Sequence, residues 1–397
     1  MDAGLPTSRR IAGLDEVAAA EWNALELGGV PFLRHEFLAA QERAGCVGPG
    51  TGWEPAHVIV REGARLVGAL PLYAKTHSWG EFVFDFGWAQ AYARHGLRYY
   101  PKLVTATPFT PATGPRFLVH PDADAGAVRT VLLAGLQEAR AELGASSVHV
   151  QFATDADADW LAGREFLPRI DCQFHWSNHG YADFDAFLAS FTAEKRKKAK
   201  RERRRVFEAG IAFEWRAGSE LSAAEWRHVH GLHAQTFRRH GHEPYLNLAF
   251  FQAVSRTPAC EPHVLLARAG REVVATAIFF RGRDTLYGRY WGAAGDFHSL
   301  HFETCYHQGI EYCIREGLAR FEPGTQGEHK IARGFAPTLT RSVHWIADPR
   351  FARAIARFLD DERAAIRAYA DAAADHVPYR REMRDSLDLG DEVPPAP

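Results

Sequence analysis

Hydrophobic and polar positions follow two periods along this chain, and the changes of period mark out its elements. His57 to Tyr73 places two apolar runs on either side of a polar turn containing Gly63, the pattern of a strand, a tight turn and a second strand. His263 to Phe280 repeats it, with Gly270 at the place of Gly63 and Val274 at that of Val67. Each hairpin is followed by a helical-period run and then a short apolar strand. Val128 to Leu143 leads into Ser147 to Phe152, and Phe302 to Gly317 leads into Ala319 to Glu322. The recurrence in order predicts two copies of one α/β unit, over 1–180 and 181–380, with a loose tail over 381–397. Between the hairpins, Phe184, Phe187, Leu188 and Phe191 fall at helical spacing; a strand is expected over Ile211 to Trp215. Helices are expected over Ala223 to Arg239, Leu246 to Ser255 and Pro349 to Ala373.

Composition agrees with a packed protein. Of 397 residues, 46% are hydrophobic and 24% charged, outside the range of disordered chains. Five scattered cysteines form no CxxC pair and no disulfide framework, which points to a reducing compartment. No signal-peptide core and no apolar run of membrane-spanning length is encoded, so a cytoplasmic protein without a transmembrane segment is expected.

The net charge of −2 conceals a sharp local excess. Lys195, Arg196, Lys197, Lys198, Lys200, Arg201, Arg203, Arg204 and Arg205 stand within eleven residues against one acid, Glu202, giving +8 and leaving −10 on the rest of the chain. Like charges three and four apart on a helix repel. A polyanion would relieve the repulsion: a nucleic acid, a nucleotide-linked substrate or a lipid headgroup. A solvated helix face neutralised by the acidic remainder is the other reading.

Candidate chemistry concentrates between Thr285 and Phe335. Arg289 and Tyr290 lie on an expected strand, His301 and Glu303 at the start of a helix, and Glu322, Gln326, Glu328, His329, Lys330 and Arg333 in a glycine-punctuated loop leaving the next strand. Loops leaving strand ends form ligand clefts in open α/β sheets, so one site could gather all three groups. Glu322 or Glu328 could take a proton from an attacking amine, Lys330 and Arg333 could clamp phosphate or carboxylate, and Gln326 could orient a carbonyl or amine. His301 and Cys305, four apart, could form a base and thiol, although a cysteine beside an apolar face is more simply core. On the same helix Phe302, Tyr306, Ile310 and Cys313 form the expected core face, and Glu303, His307 and Glu311 the solvated one. His228, His230 and His233 read in the same way as helix-face residues, and no metal site is expected. Signatures of dinucleotide binding, P-loops, zinc proteases and serine hydrolases are absent from the sequence.

The strings Leu286-Tyr-Gly-Arg-Tyr-Trp-Gly292, Leu300-His-Phe-Glu-Thr-Cys-Tyr306 and Phe321-Glu-Pro-Gly-Thr-Gln-Gly-Glu-His-Lys-Ile-Ala-Arg-Gly-Phe335, with the basic segment and Pro244-Tyr-Leu-Asn247, resemble the Fem-like branch of the GNAT acyltransferase superfamily. The resemblance runs from about Trp22 to Tyr369. It implies an α/β fold of tandem GNAT-like domains with mixed central sheets. It also implies an N-acyltransferase moving an aminoacyl group from aminoacyl-tRNA, or another phosphate-bearing donor, to a small amine or peptide acceptor such as a cell-wall precursor. Lys330 resembles the Lys of the family's Phe-Lys motif, which contacts substrate phosphate, with His329 in place of the Phe. No resident cofactor is implied. The glycine-rich turn with which ordinary GNAT enzymes cradle CoA is replaced here by Gly295-Asp-Phe-His-Ser-Leu-His301, and the basic helix would suit a tRNA acceptor arm. Acyl-CoA as donor and a non-catalytic ligand-binding module are the alternatives.

Overall fold

The computed structural model describes residues 6–239, 241–325 and 327–384. The described residues fold as two compact units, one built from those up to 171 with 340–366, the other from those between 172 and 339 with those from 367 onward. Thr340–Ile366 thus returns to the first unit, across the 180/181 boundary drawn from the repeat. The return is local in cause: residues 341–346 hydrogen-bond along the strand Ser147–Ala153. Arg381–Arg384 is a short helix, and the rest of the expected tail lies outside the described residues.

The first unit contains an antiparallel four-stranded sheet, Thr7–Ile11, His57–Glu62, Arg65–Leu70 and Leu118–Val119. Helix Ala125–Glu142 lies on it, started by an Asp124 side chain that accepts from the Ala127 N–H. Val128, Leu132 and Leu136, spaced on one helical face, are fully buried against Val58, Val60 and Val67 of the strands. A second sheet places Lys102–Thr105 parallel to Ser147–Ala153. Its interior carries an ion cluster. The Lys102 ammonium bonds Glu81 at 2.9 Å and also meets Asp85, with all three side chains buried. Such burial is supportable only because the partners satisfy one another.

The second unit is a meander of Ile211–Ala217, Pro262–Ala269, Glu272–Arg281 and Thr285–Ala293, all antiparallel neighbours. Strand Arg320–Glu322 pairs parallel to the start of the last of these, and antiparallel to Trp176 and Ser177. Phe187, Phe191, Trp176, Phe279, Phe321 and Phe335 pack into one aromatic core. Helix Ala223–Arg239 spans the residues its periodicity predicts and lies directly on Thr285–Ala293. The approach is possible because position 292 is glycine: a Cβ there would stand 2.2 Å from the Leu232 carbonyl carbon. Gly292→Ala is expected to cost about 1–3 kcal/mol, the range for overpacked interiors, read as a lower urea midpoint.

Candidate acyl-transfer site

Two irregularities build the site in the second unit. The parallel pairing of Thr285–Ala293 with Arg320–Glu322 lasts only from Thr285/Arg320 to Tyr287/Glu322, after which no further pairs join the strands. A cavity of about 180 Å³ lies at this parting, lined by Gly288, Arg289, Tyr290 and Trp291 on one strand and Pro323 after the other. Ala277, Ile278 and Phe279 line it from the neighbouring strand. The second irregularity is a bulge. Phe279 faces Gly288 and Ile278 faces Tyr290, so Arg289 is the extra residue that the bulge accommodates. Bulges re-aim side chains, and this one puts Arg289 in the cavity wall.

The remaining wall is the helix that follows. His301, Cys305 and Tyr306 reach the cavity from it. Its turn Glu303–His307 is π-helical, with the Gln308 N–H bonding the Glu303 carbonyl five residues back. Such turns are rare and widen a helix locally. Here Glu303 and His307 are each 1% exposed, so the expectation of a solvated Glu303–His307–Glu311 face fails. The physical reason is the basic helix Ala193–Glu208, which covers that side. Arg203 donates through Nε to Glu303 at 3.1 Å and through Nη2 to Glu311 at 2.6 Å, and its guanidinium lies over the Phe184 ring. Glu303 is therefore held by the protein's own arginine rather than presented to a substrate, and burial raises its carboxyl above the usual range in spite of that cation.

The loop after Arg320–Glu322 divides its residues between the cavity and the packing around it. Glu322 is partly buried beside Pro323, and burial pushes its carboxyl up to about 7 against the pull of Arg320 and Arg289. It is the carboxylate nearest a role at neutral pH. Glu328 is exposed and accepts from the Tyr369 hydroxyl at 3.0 Å. Lys330, 1% exposed, donates to the Gly324 carbonyl at 2.5 Å, and burial lowers its ammonium to about 7. It lies close enough to Cys305 for each to affect the other's ionisation. The open phosphate clamp expected of it is not the geometry found. Arg333 is likewise engaged: it donates to Glu202 at 2.9 Å and to the His329 carbonyl at 2.6 Å, over the Phe302 ring. His329 is exposed and shares a 2.7 Å hydrogen bond with the Tyr306 hydroxyl. Gln326 lies outside the described residues.

Of the expected substrate contacts, Arg289, Tyr290 and His301 meet in the cavity. Sequence reasoning missed the contributions of Trp291 and Tyr306, the latter because helical spacing assigned it to the core face, and weighed Cys305 only as a thiol paired with His301 or as core. Burial pushes the Cys305 thiol far up, and no hydrogen bond joins it to His301 among the described residues, so the pair has no activated nucleophile. The three helix histidines also resolve as packing: His228 bonds the Val273 carbonyl, His230 the Leu246 carbonyl, and His233 is buried against Tyr290. No group with metal-binding spacing occurs among the described residues. Nor is any helix among them long and apolar enough to cross a membrane.

On the basic helix, Ala199, Glu202, Arg203 and Val206 form the inner face. Lys197, Lys198, Lys200, Arg201, Arg204 and Arg205 are exposed, while Lys195 and Arg196 are partly so. Lys200 pairs with Asp185 at 2.7 Å. No carboxylate pairs with Lys197, Lys198, Arg201, Arg204 or Arg205 among the described residues.

Comparison with known proteins adds to this geometry. The sequence profile of the FemAB-like family, described as peptidoglycan biosynthesis/recognition, matches residues 13–381. The chain is similar in fold to the crystal structure of FemX, with a TM-score of 0.51 and 12% identity, covering 88% of this chain and 99% of that one. It is similar more distantly to L-PGS from Bacillus licheniformis, with a TM-score of 0.47 and 10% identity over 82% of this chain and 96% of that one. A tandem GNAT protein from the clavulanic acid biosynthesis pathway gives a TM-score of 0.45 and 14% identity over 87% of this chain and 99% of that one. No curated protein matches the sequence.

Proposed function

This chain belongs to the FemAB-like family and is built of tandem GNAT-like units, and from that membership and the geometry above we propose that it is an N-acyltransferase. An amine attacks an activated acyl ester seated in the cavity of the second unit, and an aminoacyl group is transferred from aminoacyl-tRNA to an amine acceptor of cell-wall precursor type. The observation that carries the reading is the small cavity at the parting strands, with Arg289 in its wall and Glu322 immediately before the lining residue Pro323, close enough for the Arg289 charge to act on its carboxyl. A nucleophilic amine is neutral, so a proton must leave as the new bond forms. A carboxyl poised near 7 accepts it at working pH. The bulged Arg289 faces the carbonyl oxygen or an anionic substituent, where developing charge is stabilised in a site of low dielectric.

The donor is argued from the basic helix. Its outer cations other than Lys200, free of acidic partners among the described residues, form a stripe suited to a phosphate backbone. With charged tRNA as donor, log KM should change steeply with log salt. Replacing Lys197, Lys198, Arg201, Arg204 and Arg205 with Gln should flatten that slope by about 3.5–4.5, at about 0.7–0.9 for each phosphate no longer neutralised, with kcat at saturation retained. Transfer from acyl-CoA that is indifferent to these substitutions, with none from tRNA, would overturn the donor assignment.

A further inference from the structure

Transfer from an ester leaves a problem that Glu322 does not address. As the carbon–oxygen bond breaks, the electron pair goes to an alkoxide, which must be protonated. Tyr306 lines the cavity, and its hydroxyl is 2.7 Å from Nε2 of His329, a residue exposed to solvent. The two residues stand on different elements, the π-helical turn Glu303–His307 and the turn Glu328–Arg333, and their rings also pack at 5.6 Å. Tyr306 shares the cavity wall with Arg289, His301 and Pro323. Tyr306 itself is 4% exposed, so His329 is its link to water.

We propose that Tyr306 is a catalytic acid for the departing alcohol and that His329 returns the proton from solvent. The proposal rests on the acyl-transfer reading above. The amine nitrogen bonds the acyl carbon and gives its proton to Glu322, which releases it to water. The acyl carbon–oxygen bond breaks with its electrons on oxygen, which takes the phenolic proton of Tyr306. With hydrogen on Nε2, His329 takes a proton from water at Nδ1 as Nε2 gives its own to the phenolate, and the ring returns to the starting tautomer by proton exchange with water. No oxidant or further reactant is needed, and the net change is one amide and one alcohol from one ester and one amine. Arg333 holds the His329 main chain through its carbonyl at 2.6 Å, keeping the imidazole against the phenol.

The test uses two donors on the full-length protein: an aminoacyl ester of ribose, whose alcohol is a poor leaving group, and an aminoacyl thioester, whose thiolate departs without protonation. Tyr306→Phe should slow single-turnover transfer from the ribose ester about 10²-fold and leave thioester transfer within about threefold. His329→Ala should show the same selectivity, and added imidazole should restore it, because the vacated position is open to solvent; Tyr306→Phe should not respond. Equal losses with both donors, or His329→Ala without imidazole rescue, would overturn the proposal and leave Tyr306 as packing. Wild-type protein inactive with both donors would instead remove the acyl-transfer reading itself.

Discussion

Glu322→Gln is expected to lower the rate of amide formation by about 10²–10⁴-fold, the range for loss of a general base, with little change in donor affinity. The amide keeps the shape of the carboxyl and loses its ability to take a proton. The pH profile gives a second signature. Burial holds the Glu322 carboxyl at about 7, so the base is mostly protonated below that pH and the wild-type rate should climb as pH rises through it. The climb should disappear in the Gln variant. An unchanged ascending limb in Glu322→Gln would assign the base to another group. Glu322→Asp shortens the side chain by one methylene, about 1.5 Å, and should retain the limb while losing rate through misplacement.

Arg203→Ala is expected to destabilise the second unit by about 3–5 kcal/mol. The side chain of Glu303 is 1% exposed, and Arg203 is its cation; Gln308 supplies one further hydrogen bond at 2.8 Å. Removing Arg203 leaves a carboxylate buried with that single donor, and breaks the link to Glu311 as well. The expected readout is a lower urea midpoint with an unchanged m-value. The double variant Arg203→Ala/Glu303→Gln should recover part of the loss, since no uncompensated charge then remains. Additivity of the two single losses would show that the pair does not interact. Arg203→Lys should fall between them, because an ammonium cannot bond Glu303 and Glu311 in the forked geometry.

These two predictions also show where the sequence was readable. Periodicity located the hairpins, the helix Ala223–Arg239 and the short strand ending at Glu322, because each reflects contacts within a local segment. The inner face of the helix carrying Tyr306, Ile310 and Cys313 was legible for the same reason. Its other side was not. Glu303 and His307 read as solvated until a second helix, about a hundred residues earlier in the chain, is seen to cover them with Arg203. The basic segment therefore has two roles that composition alone merges: Glu202 and Arg203 face inward as ion-pair partners, and the cations around them face water. Lys330 and Arg333 were legible as cations in a candidate loop, but not as buried ones, since burial depends on Gly324, His329 and Glu202 folding against them. The bulge that aims Arg289 leaves no sequence signature beyond the small residue Gly288 before it. The Lys102–Glu81–Asp85 cluster of the first unit was equally hidden, as its members come from separate segments whose residues show no helical or strand period in common.

Acyl transfer at the parting strands of the second unit is tested most directly by product analysis. Purified protein is given aminoacyl-tRNA and a pool of amine acceptors, and amide products are measured by mass spectrometry beside Glu322→Gln. The account predicts an amide in the wild-type reaction, one deacylated tRNA released per amide formed, and loss of both in the variant. Tight binding of donor and acceptor with no amide formed, or equal amide yields from both proteins, would contradict it.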